Sequence, residues 1–229
     1  MALGGKAVMI NWSDVAPEHR SSYYEWHNRE HMLTAVAVPG FQRGRRFIAL
    51  RADRTFFNLY EVDDLAVLTG PDYMARTGRP TELTRRTTPY VRNAIRGLAR
   101  VRFSRGVALG GIMLTLRMAV APGQEREFEH YLTAVALPAA LNDSPEVLAA
   151  HLCVADHAFS AVVTPERQGR PTAIPSWIVL IEGVSTEALD RACDAHLQDA
   201  ALLEHGGTAP FDRELYRFEM MAMHNAPGA

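Results

Sequence analysis

Apolar and polar positions along this chain fall into strand-like and helix-like runs that alternate. Residues 111–120 alternate strictly, with Ile112, Leu114, Leu116 and Met118 on one face, which is the period of a strand. Residues 6–12 form a short apolar strand. Ser13-Asp14 then offers a turn or helix cap, and Pro17 suits a first helical turn. The helical pattern runs to Val38 and is stopped by Pro39-Gly40. Residues 41–51 and 55–63 read as strands, the first studded with arginines and the second rich in strand formers. Helical patches follow at 65–68 and 72–76. Residues 80–95 read as helical or irregular, broken at Pro89, and 97–104 as a strand. The second half repeats this order. Its strand at 111–120 is followed by a helix from Pro122-Gly123 to Pro138, and by strands at 149–155 and 176–183 flanking a loop at 164–175. A helix capped by Ser185 and a strand at 214–224 complete it, and 225–229 read as a frayed tail.

Each half therefore reads β-α-β-β-α-β. A sequence match supports a duplication. Glu30-His-Met-Leu-Thr-Ala-Val-Ala-Val-Pro39 recurs 99 positions later as Glu129-His-Tyr-Leu-Thr-Ala-Val-Ala-Leu-Pro138, with eight of ten residues identical. A period this long excludes a solenoid and points to two copies of a small domain. The expected architecture is α+β: two tandem ferredoxin-like repeats, residues 1–106 and 107–229, joined near 105–110. Each sheet carries helices on one face. Packing the two bare faces together covers them and makes a barrel. Unfilled sheet edges would favour a homodimer.

Composition narrows the function. Of 229 residues, 48% are hydrophobic and 22% charged, as in an ordinary globular protein. A net charge of −2 argues against a nucleic-acid partner. Cys153 and Cys193 are the only cysteines and form no CxxC, which suggests a reducing compartment without a disulfide framework. No apolar run reaches transmembrane length and the N-terminus lacks a signal-peptide core, so a cytoplasmic protein without a membrane partner is expected.

Candidate chemistry concentrates on the first helix. His27 and His31, four apart, share a face; Glu30 lies three beyond His27, and Tyr23 four before it. Such a cluster can supply a base, an acid and an orienting group. The plainer reading buries Trp26, Leu33 and Ala37 as the apolar stripe and leaves the histidines at its rim. The offset of 99 pairs His27 with Arg126 and Trp26 with Glu125, so Tyr23, Trp26, His27 and Asn28 would mark the first copy if only one pocket is active. His27-Asn-Arg-Glu-His31 also matches H-x-x-E-H, a zinc-peptidase pattern. Its third ligand is missing, since Glu61 sits on a predicted strand and Glu82 beside a proline. On the strands, Arg43 and Arg45 share one face and Arg46 the other. One of them is expected to clamp an anionic oxygen, although arginines on a strand are more often solvated or at a subunit contact. Phe56, Asn58 and Tyr60 form a face with polar tips on an apolar wall, the texture of a small-molecule pocket, and Trp177 closes the matching wall in the second half. His151 and His157 share a strand face if that strand continues. There is no P-loop, no dinucleotide fingerprint and no nucleophile elbow.

Tyr24-Glu-Trp-His-Asn-Arg-Glu-His31, Val38-Pro-Gly-Phe-Gln-Arg-Gly-Arg-Arg-Phe47, Asn58-Leu-Tyr-Glu-Val62 and Thr69-Gly-Pro-Asp-Tyr-Met74 resemble the dimeric α/β-barrel superfamily, in particular its duplicated bacterial members of the EthD-like and antibiotic-biosynthesis-monooxygenase-like kinds. The resemblance implies a pocket between helix and sheet. It spans cofactor-free monooxygenases, cyclases, isomerases and haem enzymes, and so does not choose a reaction. The expectation is a cofactor-free enzyme acting on a partly aromatic, polyketide-like or lactone-like molecule. His31 or His27 would transfer the proton, Glu30 would orient the imidazole, and Tyr60 or an arginine such as Arg46 would meet the oxyanion. Tyr23, Tyr24, Trp26, Asn58 and Trp177 would contact substrate. The alternatives are haem or divalent-metal chemistry on a helix histidine, and a non-catalytic ligand-binding protein.

Overall fold

A computed structural model describes residues 1–170 and 172–224. The expected tail at 225–229 lies outside the described residues. The first half contains β1 (Ala7–Asp14), α1 (Arg20–Trp26), a π-turn (His27–His31), α2 (Met32–Val36), β2 (Phe41–Arg51), β3 (Phe56–Val62), α3 (Pro71–Gly78), α4 (Glu82–Thr87) and β4 (Arg92–Gly106). The second contains β5 (Ile112–Val120), α5 (Glu125–Tyr131), a π-turn (Leu132–Ala136), α6 (Leu137–Asn142), β6 (Val147–Ala155), α7 (His157–Ser160), β7 (Trp177–Gly183), α8 (Thr186–His196), α9 (Asp199–Glu204) and β8 (Gly207–Met223). Among the described residues no helix is long and apolar enough to cross a membrane.

The strands run β4-β1-β3-β2 in one half and β8-β5-β7-β6 in the other, every neighbour antiparallel. β2 pairs with β8 and β4 with β6, so the two ferredoxin-like sheets close into one eight-stranded barrel within a single chain. The sheet edges expected to await a second chain are paired with each other.

Strand alternation assigns each side chain to one of two layers. Ile10, Trp12, Phe47, Phe57, Leu59 and Tyr216 fill the barrel, so its interior is a packed core rather than a channel. Met9, Tyr60 and Met32 belong to the layer between the sheet and its helices. Gly44 permits this helix to approach β2, because a Cβ there would collide with Met32 and stand 2.9 Å from the Tyr60 ring.

Arg43 and Arg45 are neither solvated nor at a surface. Both point into one end of the barrel. Arg45, 1% exposed, lies 3.1 Å from Glu61 and 2.8 Å from Glu182, and Arg43 Nε donates to Glu61 at 2.6 Å. His151 Nε2 stands 3.4 Å from the second Glu182 oxygen. The two glutamates hold equivalent register positions, Glu61 opposite Val8 and Glu182 opposite Met113. They bring a double negative charge that the buried guanidiniums of Arg43 and Arg45 together neutralise.

The ten-residue match does not superpose on the structural duplication. β1 and β5 start at Ala7 and Ile112, and the two π-turns at His27 and Leu132; both pairs are 105 apart, six more than the match. Consequently His31 corresponds to Ala136, and His130 is exposed on α5. Identical residues end up on opposite faces: Leu33 is 48% exposed, whereas Leu132, its match by sequence, is fully buried. The expected stripe of Trp26, Leu33 and Ala37 is corrected to Trp26, Met32, Ala35 and Val36. A π-turn widens one helical turn by a residue and so resets the phase of everything after it.

Other boundaries also move. β4 begins at Arg92 rather than Gly97, paired from there with β1. β8 begins at Gly207, opposite Val120. The helix of the second half continues past Pro138 to Asn142, because Pro138 falls in the first turn of α6, where a missing N–H is tolerated. β6 ends at Ala155, so His157 sits on α7 and shares no face with the buried His151.

Candidate active site

A cavity of about 440 Å³ opens between the first-half helix and the outward face of its sheet. The sheet contributes Met9, Asn11 and Ser13 from β1, Asn58 and Tyr60 from β3, and Arg96 from β4. The helix contributes Tyr23, Trp26, His27 and His31, and α3 adds Tyr73 and Arg76. The far wall comes from the second half, through Thr164, Glu166, Arg167 and Arg170. That loop is bonded to β4 by Arg96 N donating to Ala173 O at 2.8 Å and Ala173 N donating to Ala94 O at 3.1 Å.

His27 has both ring nitrogens engaged. Arg46 lies 3.1 Å from Nδ1, and a guanidinium can only donate, so Nδ1 accepts. The neutral ring therefore carries its proton on Nε2 and donates it to Tyr60 Oη at 3.3 Å. Burial first, then the charges of His31, Arg46 and Arg76, hold the His27 pKa well below 6.5. Tyr60 is left with a free hydroxyl proton, which burial keeps in place far above its ordinary pKa.

His31 differs. Its Nδ1 lies 3.3 Å from Glu166 Oε1 and 3.1 Å from Arg76 NH2. Arg76 has another acceptor, the His31 carbonyl at 3.1 Å, whereas the carboxylate needs a donor. Nδ1 therefore faces a donor, Arg76, and an acceptor, Glu166, and a ring protonated at Nδ1 serves the carboxylate. Nε2 has no partner among the described residues. Burial lowers the His31 pKa, and the Arg76 and Arg170 charges add to this, outweighing the upward pull of Glu166. For Glu166, burial pushes upward but His31, Arg76 and Arg170 prevail and hold it at about 2. The site thus presents, at neutral pH, an uncharged imidazole braced by an ionised carboxylate.

The other expected residues have these places. Tyr23 and Trp26 wall the cavity, and Tyr23 Oη accepts from Asn58 Nδ2 at 3.5 Å. Glu30 turns away from both imidazoles and accepts from Thr81 at 2.6 Å and Thr84 at 2.8 Å, bracing the π-turn against α4. Arg46 lies behind His27, where it binds Glu219 at 2.8 Å and packs over Tyr24 at 4.6 Å; Tyr24 in turn donates to Glu219 at 2.8 Å. Trp177 packs 5.5 Å from Phe128 in the second-half core and also lines a hollow of that half, away from His27 and His31. The H-x-x-E-H pattern is not assembled as a ligand set, with His27 saturated and Glu30 facing threonines. Among the described residues no three His, Cys, Asp or Glu converge on one point.

The second-half positions that correspond to this cavity's wall are apolar, and the hollow found there, about 480 Å³, is lined instead by Glu125 and Glu129 of α5, Ala119 and Val120 of β5 and Trp177 of β7. Tyr23, Trp26, His27 and His31 correspond to Phe128, Tyr131, Leu132 and Ala136, all buried. On the sheet, the pairs Met9–Tyr60 and Asn11–Asn58 correspond to Leu114–Ile181 and Leu116–Val179. Apolar side chains fill the space that the first half leaves open.

No sequence family and no curated protein matches this chain. Solved structures do. An anthrone oxidase-like protein aligns at TM-score 0.68 with 13% identity, over 99% of this chain and 97% of its own. A monooxygenase candidate from Fusobacterium nucleatum subsp. nucleatum aligns at TM-score 0.60 with 10% identity over 96% of each chain. A heme-binding protein from Thermus thermophilus aligns at TM-score 0.55 with 12% identity, over 95% of this chain and 92% of its own. The shared fold is the eight-stranded antiparallel barrel built from two ferredoxin-like halves. Identities this low establish the fold and leave the chemistry to the site.

Proposed function

We propose that this protein is a small-molecule enzyme that removes a proton from carbon without an organic cofactor. The observation that carries this reading is His31: an imidazole lining the cavity, with Nε2 unpartnered and Nδ1 backed by an ionised Glu166. His31 Nε2 takes the proton. The resulting imidazolium is stabilised by Glu166, and the electron pair moves to an adjacent oxygen that accepts from Tyr60. His27 acts as a positioning residue that turns the Tyr60 hydroxyl, because its Nε2–H occupies the phenol oxygen and leaves the phenol proton to point elsewhere. Tyr23, Trp26 and Tyr73 favour a flat, partly aromatic substrate. The enolate formed is the common intermediate of isomerisation, cyclisation and cofactor-free oxygenation.

The test is solvent deuterium uptake at the acidic carbon of aryl lactones and aryl 1,3-dicarbonyl compounds. Wild-type protein should catalyse uptake, and His31→Asn should slow it by about 10²–10⁴-fold. Equal uptake by the variant would end the proposal. An absorption spectrum of the purified protein separates the haem alternative, since a Soret band would make His31 a candidate to hold haem iron instead of a base.

A further inference from the structure

The cavity is far more cationic than the protein. Arg76, Arg92, Arg96, Arg167 and Arg170 line it against one acid, Glu166, in a chain whose net charge is −2. Arg76 is matched by Glu166, at 3.6 Å. Arg96 and Arg167 touch no carboxylate among the described residues. Arg96 is 6% exposed, its NH1 has no hydrogen-bond partner, and its NH2 meets only the Met9 sulfur at 3.2 Å and the Tyr73 hydroxyl at 3.4 Å. Arg167 donates to a single backbone carbonyl, that of Val162, at 3.3 Å. Ser13 Oγ and Thr164 Oγ1, also on cavity residues, likewise have no partner among the described residues. A buried guanidinium without an acid is costly, and it persists where a ligand supplies the missing charge.

The geometry points to an anion subsite in this cavity, formed by Arg96 of β4 and Arg167 of the second-half loop, that holds the carboxylate of an aromatic substrate while its acidic carbon faces His31. This deepens the function proposed above, but the binding claim stands on the arginines and not on the base. Burial, followed by the neighbouring Arg96 charge, lowers Arg167 to about 10. A carboxylate suits a planar fork of guanidinium donors, and the hydroxyl of Thr164 can donate to it too. The four aromatic side chains of the cavity fit the rest of an aryl ring rather than a sugar or peptide. The assignment gives the second half a role: it supplies the anchor for the cavity of the first.

Calorimetric titration with 2-naphthoate and with its neutral isostere 2-naphthamide tests this. Wild-type protein should bind the carboxylate at least 10-fold more tightly than the amide, with affinity falling as salt rises. Arg167→Gln should weaken carboxylate binding 10-fold or more and leave amide binding unchanged. Arg96→Gln should do the same, and Arg167, in a loop, serves alone if the buried Arg96 variant fails to fold. 2-Naphthoate binding is read without any turnover, so failure of the base and failure of the subsite read out separately. Equal binding of carboxylate and amide, binding of neither, or an unchanged Arg167→Gln would overturn the subsite. Inorganic phosphate binding more tightly than 2-naphthoate would overturn the carboxylate assignment in favour of a phosphate ester.

Discussion

His31 and Glu166 meet at 3.3 Å although 135 residues of sequence separate them, one on a π-turn of the first half and the other on a loop of the second. The contact joins the two repeats at the point where the chemistry is proposed. Removing the carboxylate removes the one influence that raises the imidazole pKa, while burial and Arg76 continue to depress it. In Glu166→Gln the His31 pKa, read from its ring proton shifts, should therefore move further down. An upward shift would show that burial is not in control.

Glu30 should matter for stability and not for the imidazoles. It accepts two threonine hydroxyls, and Thr84 in turn accepts from Trp26 Nε1 at 2.9 Å. Glu30→Gln should cost about 1 kcal/mol in chemical denaturation and leave the His31 titration where it was. A changed titration with unchanged stability would restore the orienting role expected from the sequence.

The helix register can be tested with one pair of substitutions. Leu33→Ala, at an exposed position, should lie within about 0.5 kcal/mol of wild type. Leu132→Ala, at the position that matches it by sequence, should cost about 2–5 kcal/mol. Equal effects would mean that the two segments share an environment.

In the barrel, Arg45 stands between two buried carboxylates. Arg45→Ala would leave Glu61 with Arg43 and Glu182 with only His151 as a charge partner, and should cost about 3–5 kcal/mol, or prevent folding. A neutral effect in thermal or chemical denaturation would contradict the pairing.

Acid should destabilise the protein early. His27, His31 and His151 are all held below the ordinary 6.5, burial being the first cause of each. The unfolded chain then binds more protons below that pH. Stability is complete above about pH 6.5 and falls as pH drops through it, by up to about 1.4 kcal/mol per pH unit for each histidine. Glu166 and Glu182, both at about 2, contribute a second loss only below their ordinary value of 4.5. Denaturant midpoints at pH 7.5 and 5.5 should differ clearly; equal midpoints would show that these imidazoles are not buried neutral.

Much of this was legible in the sequence. Period-2 alternation and the turn residues place β1, β2, β3, β5 and β7 within a residue or two, and the order β-α-β-β-α-β, read twice, leads to the barrel. The cavity face was legible in part, since Asn58 and Tyr60 alternate with buried Phe57 and Leu59. The asymmetry was present as well, in Asn11 and Ser13 on β1 against Leu116 and Met118 on β5, but a strong local match at the wrong offset hid it. Backbone hydrogen bonding decides whether a turn is α or π, and identical side chains on both copies gave no sign of the shift. Glu166, Arg167 and Arg170 sit in a loop with no periodicity, and only closure of the barrel brings them to His31. Their one signal was charge density in an otherwise Pro- and Gly-containing stretch.

The ¹⁵N spectrum of the His31 ring, recorded through a pH titration, tests the central claim most directly. A base braced by Glu166 requires a neutral ring protonated at Nδ1, with Nε2 bare and a pKa below 6.5. A ring protonated at Nε2, accepting from Arg76 instead, or one that stays charged above pH 6.5, would contradict it.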